Sequence, residues 1–238
     1  MKACGPAFRG VPGGVRIFQR MYTRLGCQGR PPQFQVEFHS YANLTHTIRL
    51  REDTAHVRLS DVLRAAPLPV LEAAAAILLA RLYRRPVPQE VVELYRGFAY
   101  AGATRRRLLR VRRERGRRVK DHPAGSFHDL DALFTELNGQ YFSGGLPRPR
   151  LAWSARGWRA QLGCFDPALR QIVINRQLDR GEVPGFVVGY VLYHEMLHLK
   201  HPMRLEHCQL KSHSPQFRRE EKRFSHYDKA QRFLKRFV

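Results

Sequence analysis

PGFVVGYVLYHEMLHLKH, residues 184–201, is the stretch on which the reading of this chain turns. Phe186, Val187, Val188, Tyr190, Val191, Leu192, Tyr193, Met196, Leu197 and Leu199 leave little polar surface, so a helix formed here belongs in a core. Yet the same stretch carries His194, Glu195 and His198. Residues four apart stack on one helical face, which brings the two imidazoles together and sets Glu195 one position round. Burying three such groups without partners costs roughly a few kcal/mol each. A metal held by two neutral imidazoles removes that cost, and His-Glu-x-x-His is a spacing that suits Zn²⁺ with the glutamate positioned to take a proton from water. The competing reading is a chance match whose histidines are satisfied by hydrogen bonds inside the core.

A catalytic zinc site needs a third protein ligand and an open position. His201 shares the helical face, but its Cα would lie roughly 10 Å along the axis from that of His194, too far for one ion. Pro202 then works against a continued helix. The metzincin spacing is excluded, because His201 and Arg204 stand where it requires glycine and histidine. His207, His213 and, in the thermolysin manner, Glu220 or Glu221 remain as candidates. His213 is preferred: Ser214 is a fair N-cap and Pro215 suits the first position of a new helix, so a ligand there is well held. That helix is expected to run on through Phe217, Phe224, Tyr227 and Phe233.

From Phe134 to Phe217 the chain resembles the SprT-like zinc metallopeptidases, which include the bacterial SprT proteins and the Spartan proteases acting on DNA-protein crosslinks. The matching pieces are Leu137-Asn138 and Tyr141-Phe142 before a Gly-Gly-Leu turn, Trp153-Ser154, Leu162-Gly163, Ile172 to Asn175, His194 to His198, and His213 to Phe217. The resemblance implies that His194, His198 and His213 bind one Zn²⁺ per chain and that Glu195 is the catalytic base. It departs from the family pattern in having no cysteine-rich zinc ribbon: Cys4, Cys27, Cys164 and Cys208 are scattered, with no Cys-x-x-Cys pair.

With 43% hydrophobic residues in 238, the chain can build a large core, and no apolar run is long enough to span a bilayer. Dispersed cysteines suit a reducing, cytoplasmic setting. The first thirty-six residues contain arginines and no acid, and read as a basic arm with an amphipathic helix near Val15 to Leu25. Two parts are expected, 1–122 and 123–238. The first is a mixed α/β region, with strands at Phe34–Phe38, Thr45–Arg51 and Ala55–Leu59. A helical stretch capped by Ser60 or Asp61 follows, then helices from Val70 to Tyr83 and Gln89 to Tyr100. Asn43, His46 and His56 are expected on its strand faces or turns. The second is an α+β zincin-like core: a helix from His128 to Phe142, antiparallel strands near Leu151, Leu162 and Ile172, the metal helix and a C-terminal helix. Gln171 to Asn175 is the candidate edge strand for an extended peptide.

Between the parts lies the most basic segment, with Arg105, Arg106, Arg107, Arg110, Arg112, Arg113, Arg115, Arg117, Arg118 and Lys120 against Glu114 alone. With 42 Lys and Arg against 20 Asp and Glu, a net charge of +22, the chain should be drawn to polyanions. Nucleic acid is the expected partner, through Arg105, Arg106, Arg107, Arg110, Arg112, Arg113, Arg117 and Arg118. A solvated arginine-rich helix is the plain alternative. Two function classes follow: a zinc metalloendopeptidase acting on protein or peptide near nucleic acid, with Tyr190, Tyr193 and Tyr227 as candidate oxyanion partners, or a nucleic-acid-binding protein with a zincin fold and no peptidase activity.

Overall fold

The computed structural model describes residues 13–201, 204–206, 209–211 and 213–237, with 204–206 and 209–211 described as backbone only. The chain divides into two compact units, and the division falls inside the arginine run, between Gly116 and Arg117. Both are α+β.

The first unit contains α1 (Gly14–Arg24), β1 (Gln33–His39), β2 (Thr47–Arg51), β3 (Thr54–Ser60), α2 (Leu68–Tyr83), α3 (Gln89–Tyr100) and α4 (Gly102–Arg115). Its sheet has the order β1-β3-β2, with β1 parallel and β2 antiparallel to β3. Ile17, Phe18, Met21 and Tyr22 of α1 and Ala75, Ala76, Leu78 and Leu79 of α2 close over Phe34, Val36, Ala55, Val57 and Leu59. The alternation of those strand residues dictates a sheet buried on one face. Ser60 caps the short 3-10 turn at Asp61–Ala65, its hydroxyl accepting from the Val62 N–H at 3.4 Å.

The second unit contains α5 (Leu130–Phe142), β4 (Arg150–Trp153), β5 (Gly163–Asp166), β6 (Gln171–Ile174), α6 (Gly185–Lys200), β7 (Arg204–Glu206), β8 (Gln209–Lys211) except Gln209, which is grouped with the first, α7 (Pro215–Glu221) and α8 (Tyr227–Phe237). α6 runs through the middle of the core with Val187, Val188, Leu192, Met196 and Leu197 fully buried. Around it close Leu130, Phe134 and Leu137 of α5, Ile172 and Ile174 of β6, Phe217 of α7 and Ala230 and Leu234 of α8.

Three expectations are corrected. The sheet is mixed, not antiparallel: its order is β4-β6-β5, with β4 parallel and β5 antiparallel to β6. The β5–β6 hairpin enforces one antiparallel pair, its turn fastened by Asp166 accepting from the Ala168 and Leu169 N–H groups. The loop from Trp153 to Gly163 then carries the chain past β6 and leaves β4 parallel to it. β6 is therefore central, not an edge; all four of its residues are buried, the polar Gln171 with its side chain bonded to the Val119 N–H and the Arg117 carbonyl, and a strand buried along its whole length belongs between two neighbours. β5 pairs with a described strand on one side only, while the outer side of β4 is met by His122, whose N–H donates to the Leu151 carbonyl. Third, the C-terminal helix is two helices. At about 100° per residue, Ala230 and Leu234 would point some 100–140° away from Phe217 on a continuous helix. The turn after α7 brings all of them, with Phe224, into one core.

Among the described residues no helix is long and apolar enough to cross a membrane.

Candidate metal centre

α6 presents His194 and His198 on one face, and α7 begins two residues after His213. Ser214 is the N-cap of α7, its hydroxyl accepting from the Phe217 N–H at 3.1 Å. That cap brings the residue before it over α6, while the buried Phe217 ring packs 4.7–5.1 Å from the imidazoles of His194, His198 and His213. The result is a convergence of three Nε2 atoms. His213 Nε2 lies 3.2 Å from His194 Nε2 and 3.3 Å from His198 Nε2, and the three donor atoms fall within 4.8 Å of one another.

This donor set suits a divalent cation. Tetrahedral coordination with nitrogen at about 2.0–2.1 Å implies a ligand-to-ligand spacing of about 3.3 Å, and three soft-to-borderline imidazole donors match Zn²⁺ better than Ca²⁺ or Mg²⁺. The electrostatics agree. Burial pushes the His198 imidazole down to about 4, helped by charge on His194 and His213. His213 is lowered too, by burial and then by His194. Neutral rings keep the lone pairs that a metal requires.

Glu195, one position round α6, is only 6% exposed. Burial drives its carboxyl up to about 7, against the opposing pull of His194 and of the Phe165 N–H that donates to it. It fits only because β5 begins with glycine: a Cβ on Gly163 would stand 2.7 Å from Glu195 Oε1 and 2.9 Å from its Cγ.

The remaining candidates take other places. Glu221 lies behind His194, its Oε1 2.7 Å from Nδ1, the ring nitrogen turned away from the cluster. Its carboxyl is held below the usual range, because the hydrogen bonds from His194 and Tyr190 outweigh the upward push of burial. Glu220 pairs with Lys200 at 2.7 Å and stands 3.2 Å from His201 Nε2. Tyr190 donates to Glu221 and Tyr193 to the Glu220 carbonyl, both at 2.8 Å, so both hydroxyls are occupied away from the three Nε2 atoms. The Tyr227 ring packs on Tyr190. His207 and Cys208 lie outside the described residues. The roles of Gly163 and Glu221 were not read from the sequence. The signal for Glu221 was present, since it lies four residues after Phe217 and so shares its helical face.

The arginine segment is not one element. Arg105, Arg106, Arg107, Arg110, Arg112 and Arg113 belong to α4 in the first unit; Arg117 and Arg118 belong to the second. Arg107 donates to the Val62 and Asp61 carbonyls, and Arg115 pairs with Asp61 at 2.9 Å. These two, with buried Thr104 and Val111, mark the packed side of α4. Arg106, Arg110 and Arg113 are exposed and share the opposite face at i, i+4 and i+7. In the first unit, His46 is built into the fold: its Nδ1 accepts from the Ser60 N–H at 3.0 Å and its Nε2 lies 2.6 Å from the Tyr95 hydroxyl. His56 and Asn43 are exposed.

Comparison with protein-family models, with curated proteins and with solved structures finds no match to this chain.

Proposed function

We propose that this chain is a zinc-dependent metalloendopeptidase of the SprT-like kind, with a zincin-like core in its second unit. The observation that carries the reading is the trio of Nε2 atoms spaced 3.2–3.3 Å about His213, beside a buried carboxylate one residue from the first ligand. His194, His198 and His213 would hold the ion. Bound there, Zn²⁺ would polarise a scissile carbonyl and acidify water. Glu195 takes a proton from the attacking water at its carboxylate and passes it to the leaving amine, a role suited to a buried carboxylate one residue from His194. Glu195 is screened from bulk solvent, and β5, which pairs on one side only and whose Phe165 N–H already meets Glu195, would offer its remaining main-chain groups to an extended peptide.

The test is metal analysis joined to a cleavage assay on casein and histone. The wild type should carry one Zn²⁺ per chain and cleave. Glu195→Gln should keep the metal and lose cleavage, and His213→Ala should lose most of the metal. Cleavage retained by Glu195→Gln would overturn the mechanism. Metal bound without any cleavage would favour the second class, a nucleic-acid-binding protein on the same fold; the observation behind that class is the exposed row Arg106, Arg110 and Arg113 on α4.

A further inference from the structure

We propose that Glu221 is a positioning residue for the metal centre, fixing the tautomer and ring angle of His194 through a hydrogen-bonded chain that ends at Gln231. The inference rests on the metal reading above and goes beyond it by assigning groups that do not touch the ion. His194 must offer a lone pair at Nε2, so its proton belongs on Nδ1, and an acceptor for that proton has to stand on the far side of the ring. Glu221 Oε1 stands there at 2.7 Å. Neither the sequence spacing nor the helix alone would hold that oxygen in place. The Tyr190 hydroxyl donates to the same oxygen at 2.8 Å, and the Gln231 Nε2 donates to the Tyr190 hydroxyl at 2.6 Å.

The route crosses three helices. Tyr190 and His194 are one turn apart on α6, Glu221 is the last residue of α7, and Gln231 lies in α8. The break between α7 and α8 lets both helices face α6 at this point, so the same turn that completes the core also closes the chain of hydrogen bonds. Glu221 is not placed as a ligand. It addresses the nitrogen directed away from His198 and His213, whereas the nitrogen directed toward them is the one 3.2 Å from His213 Nε2.

The measurement is Zn²⁺ affinity of the full chain, by competition with a chromophoric chelator, together with thermal unfolding of the metal-free protein. Glu221→Ala is expected to weaken Zn²⁺ binding by roughly ten- to a hundredfold, the size usual for loss of a carboxylate behind a metal-bound histidine. Glu221→Gln, which keeps an acceptor without the charge, should fall between it and the wild type, and Tyr190→Phe should weaken binding by a smaller factor. Glu220→Gln is the control for damage to α7, because its carboxylate serves Lys200 instead, and it should bind Zn²⁺ as the wild type does. Wild-type affinity in Glu221→Ala, or an equal loss in Glu220→Gln, would overturn the inference while leaving the metal reading intact. A wild type that takes up no Zn²⁺ would overturn the metal reading itself.

Discussion

At Gly163 a Cβ would lie 2.7 Å from Glu195 Oε1, so alanine there must push the carboxylate aside or push β5 outward. Gly163→Ala is therefore expected to lower peptide hydrolysis by about a hundredfold, the scale of a 1 Å misplacement, with Zn²⁺ content unchanged. Parallel metal analysis and peptide kinetics check it, and full activity would show that Glu195 needs no such space. His46 gives a pH prediction for the first unit. Its imidazole is lowered to about 4 by burial, while an unfolded histidine titrates near 6.5. The unfolded chain then binds the extra proton between those values, so the His46 contribution is complete above pH 6.5 and is lost as pH falls toward 4. The slope for one group is at most about 1.4 kcal/mol per pH unit. Urea midpoints taken across pH 4–7 should converge between wild type and His46→Gln as the pH falls, and parallel curves would refute the assignment.

At the scale of elements, the site depends on how α7 starts. Ser214 caps it and His213 precedes the cap, so Ser214→Ala should cost about 1 kcal/mol of stability and also weaken Zn²⁺ binding by letting His213 move. Chelator competition and thermal melts on the same samples test both halves; a stability loss with untouched affinity would separate the cap from the ligand. This start was legible because Ser-Pro after a candidate ligand is a local signal. The end of α7 was not, since the residues of the 222–226 turn obey a packing demand set by α6. Two asparagines make the same point. Asn138 exchanges hydrogen bonds with the Leu146 N–H and carbonyl across the Gly144-Gly145 turn. Asn175 donates to the carbonyls of Trp158 and Gln161 and so fastens the loop that delivers β5. Both stood out in the sequence as part of a pattern, but what they hold is visible only in three dimensions.

For the molecule as a whole, the excess positive charge is expected to act through the exposed row on α4. Changing Arg106, Arg110 and Arg113 to glutamine should weaken binding to many nucleic acid sequences alike and flatten its salt dependence, leaving Zn²⁺ content unaltered. Fluorescence anisotropy across a salt series checks it; unchanged affinity would return α4 to a solvated helix. Arg107 and Arg115 are set apart from this row by their contacts with the Asp61–Ala65 turn, a distinction that a count of arginines cannot make. Sequence alone determined α6, the shared face of His194 and His198, the place of Glu195 beside them and most helix limits, because these follow from spacing and from caps within a few residues of one another. Strand order, the central position of β6, the break after α7 and the place of Glu221 behind His194 were decided by tertiary structure. Each depends on residues far apart in the chain competing for one buried volume, and local periodicity carries no record of which of them will meet.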